Sequence, residues 1–283
     1  MPPVTGTLYL VAVPIGNLDD LGIRARATLG AVAVVAAEDT RHFATLAHHH
    51  GIRPRAVSYH DHNEGKRAPE LLSRLDAGDD VALVTDAGTP LISDPGYRLV
   101  RAAIEAGVRV TSVPGPSAVT TALAASGLPP HPFRFGGFLP RARAHRREAL
   151  RAMERDEATL VAFEAPRRVR DAFHDALEIL GDRPACLARN LTKRHERYQR
   201  GLLSELAHEL DAELASEGEI RGECTLVIGG ATTRDQSSDD AEADARLLLD
   251  GGAPPRAVQA LLSQRRGLSR RDAYAIVERL RSR

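Results

Sequence analysis

A regular alternation of short apolar runs with helix-like segments across residues 1–116 is the feature that most constrains the fold. The apolar runs lie at 7–13, 32–37, 81–85 and 108–113, and segments with helical spacing separate them. This order is typical of an α/β fold, in which helices cover both faces of a parallel sheet. Ligands bind such sheets beyond the carboxyl ends of the strands. We therefore expect the loops after the strands to meet at one edge, at 14–20, 38–41, 86–96 and 114–117.

The rest of the chain predicts a second α/β unit and a helical extension. A helix over 117–126 ends at Gly127, and strands and helices alternate again as far as residue 230. Residues 231–240 are polar and predict a linker. The tail predicts three short helices, one of which begins at Ser269 with Asp272 three positions later. The expected organisation is a first domain 1–116, a second domain 117–230, a linker 231–240 and a helical extension 241–283.

Composition excludes several classes of protein. Hydrophobic residues make up 43% of the 283 residues, which is enough to build a core and excludes wholesale disorder. No run approaches about 18 apolar residues, so we expect no membrane span. Cys186 and Cys224 are too few for a disulfide framework. The N-terminal sequence lacks the charged and apolar regions of a secretory signal, and we expect a cytoplasmic location.

Local charge is more informative than the net charge of zero. Residues 141–151 hold five arginines against one glutamate, and residues 265–283 hold seven arginines against two acids. Such runs either contact the phosphates of a nucleic acid or form a solvated, salt-bridged face, which is the commoner case. The only lysines are Lys66 and Lys193. In a chain so rich in arginine, a lysine indicates chemistry that arginine cannot perform. We therefore single out Lys193 as a candidate functional residue.

The most informative motif directly follows the run at 81–85. It reads Asp86-Ala-Gly-Thr-Pro-Leu-Ile-Ser-Asp94-Pro-Gly96. Gly88 and Gly96 permit close backbone approach to a ligand. Asp86 and Asp94 either accept hydrogen bonds from ribose hydroxyls or a ligand ammonium, or cap turns and the following helix. The chain has neither a G-x-G-x-x-G fingerprint nor a G-x-x-x-x-G-K-[ST] loop, so it is not expected to bind a dinucleotide or a P-loop nucleotide.

Two other polar segments have weaker alternatives. Ser117 follows Pro116, and Val119 stands where a nucleophile elbow has its second glycine, so a hydrolase is the least favoured function and a helix N-terminus lining a ligand site is preferred. His60 and His62 share one face of a strand end. The sequence identifies no further ligands for a closed metal site, and we expect no metal.

Six motifs taken together resemble one protein family. They stand in family order at residues 10–18 (LVAVPIGNL), 37–41 (AEDTR), 60–64 (HDHNE), 85–96 (TDAGTPLISDPG), 114–118 (PGPSA) and 191–193 (LTK). The chain resembles the ribosomal RNA small subunit methyltransferase I family of the tetrapyrrole methylase superfamily over residues 6–230. The resemblance implies two α/β domains of the class III methyltransferase type with a cofactor cleft between them, followed by a small helical extension, and it implies a homodimer. It also implies methyl transfer from S-adenosylmethionine to the ribose 2′-hydroxyl of a cytidine in the decoding region of 16S ribosomal RNA, within the small ribosomal subunit.

The resemblance also implies site residues. The expected cofactor-binding residues are Pro14, Asp86, Ala87, Gly88, Pro90, Ser93, Asp94, Ser117, Ala118, Phe163, Glu164, Leu191 and Thr225. The expected RNA-binding residues are His60, Asn63, Arg143, Arg146, Arg147 and Lys193. The family usually has Thr where Val13 stands and Glu where Asn190 stands.

The reaction needs a group that removes the proton of the attacking hydroxyl. The candidates are Glu38, Asp39, His60, Asp94 and Lys193, and we predict Glu38, Asp39 and Lys193 as the catalytic set. Lys193 serves either as a base with a lowered pKa or as a phosphate clamp, and the clamp is favoured. Two other functions stay open at this stage: a tetrapyrrole methylase with the same cofactor, and a non-catalytic RNA-binding protein of ribosome assembly.

Overall fold

The computed structural model describes residues 5–266 and 268–281. For residues 233–240 and 265–266 it describes the backbone only. The first part of the chain forms a five-stranded parallel sheet in the order β3-β2-β4-β1-β5. Its strands are β1 (Thr7–Val11), β2 (Val34–Ala37), β3 (Ala56–Ser58), β4 (Val81–Val84) and β5 (Arg109–Val113). Its helices are α1 (Ile23–Ala31), α2 (Thr40–His49), α3 (Glu64–Asp76) and α4 (Tyr97–Glu105). The predicted parallel sheet is therefore present.

Alternating side chains of β2 and β4 build a core on each face of this sheet. Val35 and Val84 face the layer of α1 and α2, whereas Val34 and Leu83 face the layer of α3 and α4. All eight residues of these two strands are buried. A strand buried on both faces needs apolar side chains at every position, which explains the continuous apolar runs in the sequence.

The second part forms a mixed sheet in the order β6-β7-β10-β8-β9. Its strands are β6 (Phe133–Phe138), β7 (Thr159–Glu164), β8 (Pro184–Arg189), β9 (Arg197–Leu202) and β10 (Cys224–Ile228). Its helices are α5 (Ala118–Ser126), α6 (Arg143–Arg151), α7 (Pro166–Leu180) and α8 (Leu203–Glu217). The central strand β10 runs antiparallel to both of its neighbours, and only the β6–β7 pair is parallel.

A hydrophobic cluster joins the two parts beside the edge that carries the strand-following loops. Val119 and Leu123 of α5 pack against Val161 and Val227 of the second sheet, and Ile15 from the first loop belongs to the same cluster. The cluster holds the end of the first sheet against one face of the second sheet. A cleft therefore forms where the loops of the first sheet meet that face.

The end of the chain forms three helices with a core of their own. They are α9 (Thr233–Asp250), α10 (Pro255–Arg266) and α11 (Arg270–Arg281). The core includes Ala245, Leu262 and Ile276. The interpretation of 231–240 as a linker is wrong for most of that segment, because α9 already begins at Thr233. Its sequence supports this early start, because a threonine leads the segment and acidic residues suit the first turns of a helix.

Candidate functional site

A cavity of about 270 Å³ lies in the cleft, close to the low end of the size range of small-molecule sites. Loops of the first domain and strands of the second domain both contribute to it. The lining residues are Ile15, Ala87, Gly88, Thr89, Ile92, Ser93, Asp94, Ser117, Ala118, Phe138, Phe163, Glu164, Ala165, Pro166, Glu223, Cys224 and Thr225. The cavity therefore lies at the carboxyl edge of the parallel sheet, as the sequence predicts.

The second sheet supplies a mostly apolar wall. Phe163 of β7 and Thr225 of β10 are direct cross-strand neighbours, and both line the cavity. The Phe163 ring meets the rings of Phe135 and Phe138 edge-on, with centroids 5.0 and 5.4 Å apart. Clustered aromatic rings provide a flat apolar surface on which a planar heterocycle can pack.

The loop after β4 forms the opposite wall and holds an uncommon backbone conformation. Gly88 pairs with Val13 through two backbone hydrogen bonds of 2.9 and 3.0 Å, which ties this loop to the loop after β1. Leu91 and Ser93 have φ angles of 72° and 73°, in the left-handed region that non-glycine residues rarely adopt. Strained backbone of this kind clusters at ligand sites, where the surrounding structure holds it in place.

Three carboxylates gather at this edge. Glu38 follows β2, and its Oε2 accepts a hydrogen bond of 3.3 Å from the backbone N–H of Asp86. Asp86 Oδ1 in turn accepts a bond of 3.0 Å from the backbone N–H of Asp39. Burial raises the pKa of Glu38. Burial, together with the charges of Glu38 and Asp86, raises the pKa of Asp94 to about 7.

Acidic side chains also stand on the second-domain side of the cavity. The Glu164 side chain is fully buried, and its Oε1 accepts hydrogen bonds from the backbone N–H of Ala165 and from Arg168. Glu164 Oε2 is buried and has no hydrogen-bond partner among the described residues. A buried oxygen without a donor indicates a place where a ligand N–H or O–H group fits. Glu223 lies near it and pairs with Lys193 at 2.5 Å.

The two domains touch directly beside the cleft, where the loop after β1 meets the loop after β8. The backbone N–H of Asn17 donates to Thr192 Oγ1 at 3.0 Å. A Cβ atom on Gly16 would lie 2.5 Å from Lys193 Cγ and 2.8 Å from the Leu191 carbonyl oxygen. Gly16 is therefore the residue that allows the two loops to approach so closely.

Most of the residues predicted to bind the cofactor line the cavity. These are Ala87, Gly88, Ser93, Asp94, Ser117, Ala118, Phe163, Glu164 and Thr225. Four others lie behind the lining, and these are Pro14, Asp86, Pro90 and Leu191. Asp86 ties the ends of β2 and β4 together, and Leu191 is buried in the cluster between the domains. Sequence reasoning missed Phe138 and Glu223, because a bulge in β6 and a turn before β10 bring them to the cleft.

The three predicted catalytic residues occupy different surroundings. Glu38 is half-buried and lies behind Asp86. Asp39 caps α2 through the Arg41 backbone N–H at 2.8 Å and pairs with the Arg41 side chain at 2.7 Å. The hydrogen bonds from Arg41 hold the pKa of Asp39 well below its usual range. Lys193 stands at the mouth of the cleft, through its contact with the cavity residue Glu223.

The predicted RNA-binding arginines of α6 all turn toward one buried carboxylate, Asp175 of α7. Arg146 is nearly as buried as Asp175 and bonds to it at 2.6 Å, so it faces the interior and not a surface that RNA can reach. Arg147 is 18% exposed, whereas Arg143 is 71% exposed while contacting Asp175 at 3.2 Å. Of the three, Arg143 is the one most available to a partner.

Two asparagines shape turns: Asn63, a predicted RNA-binding residue, and Asn190, which stands where the family usually has Glu. Asn63 accepts a hydrogen bond of 2.9 Å from the backbone N–H of His60 and donates one to the Ser58 carbonyl. Asn190 has a φ of 52°, and its Oδ1 accepts a bond from the backbone N–H of Glu223 at 3.3 Å. Asparagine tolerates this left-handed conformation better than most residues, which accounts for its presence there. Val13 is buried in the core and does not line the cavity.

Comparison with known proteins identifies relatives over most of the chain. Residues 7–207 match the model of the Tetrapyrrole (Corrin/Porphyrin) Methylases. A ribosomal RNA small subunit methyltransferase I of Micromonospora olivasterospora is 50% identical over 95% of this chain and 86% of its own length. The protein of the same name from Pseudomonas aeruginosa is 46% identical over 80% of this chain and 79% of its own length.

A solved structure shows the same fold. The crystal structure of cobalt precorrin-4 methyltransferase, a cobalamin biosynthetic enzyme, aligns with a TM-score of 0.58 at 19% identity, over 79% of this chain and 94% of that one. In the described part of the chain, no helix is long and apolar enough to cross a bilayer. No group of three or more potential metal ligands occurs within 5–266 and 268–281. The family model and the close relatives together show that this chain belongs to the tetrapyrrole methylases and, among them, to the ribosomal RNA small subunit methyltransferase I enzymes.

Proposed function

We propose that this chain transfers a methyl group from S-adenosylmethionine to the ribose 2′-hydroxyl of a cytidine in the decoding region of 16S ribosomal RNA. The observation that carries the proposal is the cleft itself. It combines an aromatic and aliphatic wall with acidic side chains, in a chain half identical to a protein named as a small subunit ribosomal RNA methyltransferase. The two domains form the cleft together, so residues of both can hold a cofactor within it.

The side chains around the cavity fit S-adenosylmethionine. This cofactor has a planar purine, two ribose hydroxyls, an ammonium group and a positively charged sulfonium. Phe163 and Ile15 offer apolar surface for the purine, whereas the unpartnered Glu164 Oε2 offers an acceptor for a hydroxyl or amino donor. The carboxylates also make the cleft favourable for a cation. When bound, the cofactor supplies an activated methyl group, so the hard part of the chemistry does not depend on a protein nucleophile.

The tasks left to the protein are orientation of the ribose hydroxyl and removal of its proton. Alignment of two reacting groups can supply about 7–11 kcal/mol of barrier reduction when both are held firmly. The loop around Gly88 is rigid enough to do so, because two hydrogen bonds to Val13 and the packing of Ile15 fix it. The close contact between Gly16 and the 191–193 loop holds the second wall of the cleft in a fixed position relative to the first wall.

The charged groups at the mouth of the cleft suit an RNA phosphate backbone. Lys193 is about one third exposed, and its partner Glu223 is mostly exposed, so the ammonium can exchange this pair for a phosphate. Arg143 of α6, which does not line the cavity, offers another exposed cation. Structured RNA is recognised mainly through phosphates and 2′-hydroxyls, and these groups match that requirement.

Replacement of Lys193 by alanine tests this role through the salt dependence of RNA binding. We expect the variant to bind RNA more weakly. Because one phosphate contact is lost, the slope of log affinity against log salt concentration should be smaller in magnitude by about 0.7–0.9. Filter binding of a decoding-region RNA at several salt concentrations measures the slope. Arg74→Ala is the matched control, because Arg74 is as exposed as Lys193 and pairs with Asp79 just before the amino end of β4, at the opposite edge of the first sheet. Equal slopes for Lys193→Ala and the unaltered protein would remove Lys193 from the RNA surface.

The activity itself is tested with labelled cofactor and small ribosomal subunits that lack the native methylation. We expect label in 16S ribosomal RNA, at a ribose 2′-oxygen of a cytidine, as mapped by alkaline hydrolysis and mass spectrometry. The same assay with uroporphyrinogen in place of subunits examines the macrocycle alternative. Cofactor binding with label in the macrocycle only would assign the chain to that alternative. Absence of cofactor binding at millimolar concentration would leave a non-catalytic RNA-binding protein.

We also propose that the chain forms a homodimer and works in the cytoplasm, where small subunits are assembled. Tyr97 and Ile104 of α4 are 65% and 60% exposed, and the neighbouring edge strand β5 is only partly covered. Large apolar side chains gathered at a sheet edge are typical of a surface that another protein covers. This surface supports the dimer proposal.

A further inference from the structure

Among the three carboxylates at the sheet edge, only Asp94 lines the cavity. Glu38 and Asp86 lie behind it, and each accepts a backbone hydrogen bond that holds the loops together. The sequence leaves open that Asp94 caps the following helix. The structure excludes this role, because α4 begins at Tyr97 and its N-cap is Gly96. Helix capping therefore does not account for a half-buried carboxylate at this position.

The backbone around Asp94 is held under strain. Leu91 and Ser93 adopt positive φ angles, and Gly96 has a φ of 132° at a place where a Cβ atom would lie 2.6 Å from Leu83 Cδ2. Non-glycine residues in the left-handed region are strained, and the surrounding structure must hold them there. The structure keeps these conformations while it holds Asp94 against the cavity, which is the pattern expected of a residue placed for function.

We propose that Asp94 is the general base of the methyl transfer, a role that rests on the proposed function of this cleft. The carboxylate of Asp94 accepts the proton of the ribose 2′-hydroxyl as the hydroxyl oxygen bonds to the methyl carbon. The bond between that carbon and sulfur breaks, and its electron pair stays on sulfur, which becomes a neutral thioether. The sulfonium loses its positive charge and the Asp94 carboxylate loses its negative charge, so the net charge of the cleft is unchanged.

The other candidates are less suited to this step. Asp39 is tied to Arg41, which makes its carboxylate a weak base. Lys193 donates to Glu223 as an ammonium, and an ammonium has no lone pair with which to accept a proton. Glu38 does not line the cavity. His60 does not line the cavity either.

The surroundings of Asp94 give its carboxylate the basicity that this role needs. Burial raises its pKa to about 7, the negative charges of Glu38 and Asp86 act in the same direction, and the Thr85 hydroxyl opposes them in part. Glu164 and Glu223 also line the cavity, and each is paired with a cation, Arg168 and Lys193 respectively. A base whose pKa lies near neutral pH is half deprotonated at working pH and binds a proton strongly enough to assist the transfer.

The first test compares the unaltered protein with Asp94→Asn and Asp94→Glu in single-turnover methylation of small subunits between pH 5.5 and 8.5. We expect the rate of the unaltered protein to rise about tenfold per pH unit and to level off near pH 7. Asp94→Asn should lower the rate about 10²–10⁴-fold, and the remaining rate should not vary with pH. Its cofactor affinity, measured by calorimetry, should change only modestly. Asp94→Glu should restore part of the rate with its pH dependence.

Glu70→Gln is the control, because Glu70 lies exposed on α3, pairs with Arg67 and does not line the cavity. Its rate and profile should equal those of the unaltered protein. If Asp94→Asn keeps a rate within twofold and the same pH profile, Asp94 is not the base. If the unaltered protein transfers no methyl group to the subunit, the proposed function fails instead, and the second test still decides whether Asp94 titrates as described.

The second test needs no cofactor and follows the unfolding free energy of the unliganded protein with pH. The folded state binds a proton at Asp94 more tightly than the unfolded state, so this residue makes stability fall as pH rises from about 4 to about 7. Subtracting the curve of Asp94→Asn from that of the unaltered protein should isolate a decline across this window. A difference curve that is flat there would show an ordinary aspartate and overturn the proposal.

Discussion

Replacement of Asp175 by asparagine is expected to lower the free energy of unfolding by about 3–5 kcal/mol. Asp175 is buried and accepts hydrogen bonds from Arg146 at 2.6 and 2.9 Å, from Arg147 at 3.0 Å and from Arg143 at 3.2 Å. The neutral amide leaves the buried Arg146 guanidinium without a counter-charge. Urea denaturation followed by circular dichroism measures the loss. Burial alone would raise the pKa of Asp175, but the three arginines outweigh it and lower the pKa, so its contribution is lost only in acid.

Glu178→Gln is the matched control, because Glu178 bonds to Arg147 at 2.5 Å while remaining 59% exposed. Water screens an exposed pair, so we expect a much smaller loss of unfolding free energy than for Asp175→Asn. Similar losses for the two variants would show that burial of the ion cluster does not matter. The arginines of α6 would then again be candidates for contact with RNA.

Replacement of Thr225 by phenylalanine is expected to weaken S-adenosylmethionine binding by about 100-fold or more. Thr225 is 5% exposed, lines the cavity and stands beside Phe163 in register, so a second ring at this position occupies the space in front of the aromatic wall. A well-packed site has no room for the added atoms without displacement of its neighbours. Calorimetric titration with the cofactor measures the change, and a 100-fold effect corresponds to about 2.7 kcal/mol.

Ser216→Phe adds the same ring to the exposed side of α8 and should leave cofactor binding unchanged. Thermal unfolding of both variants checks that the second sheet remains folded. Equal cofactor affinity for Thr225→Phe and the unaltered protein would mean that the cofactor does not occupy the space beside Phe163. The proposed site would then be in the wrong part of the cleft.

The fold and one wall of the cleft follow from sequence periodicity. A strand buried on both faces, such as β4, requires an uninterrupted apolar run, and the loop at its carboxyl end must lie at the sheet edge. For this reason the loop that carries Gly88 and Asp94 could be placed at this edge from the sequence, whereas Ser93 was named only through the family resemblance. The family resemblance, and not periodicity, supplied Phe163 and Thr225 on the other wall.

Long-range pairing explains what sequence reasoning missed. The run of arginines in α6 has the same appearance whether it faces RNA or a buried acid, and Asp175, about thirty residues away, decides between them. Phe138 reaches the cavity through an irregularity in β6 that leaves no periodic signal. The acidic tract at the start of α9 has the composition of a linker, whereas Ala241 and Ala245 farther along the same helix belong to the core of the helical extension.

The strand order of the second sheet has a consequence for synthesis of the protein on the ribosome. β10 is the last strand of that sheet in the chain, yet it lies at the centre, between β7 and β8. Until residue 228 has left the exit tunnel, β7 and β8 have no strand to join them, and their inner edges expose unpaired backbone groups. The wall formed by Phe163 and Thr225 therefore appears only when synthesis is nearly complete, and a chain truncated before β10 is expected to aggregate rather than fold.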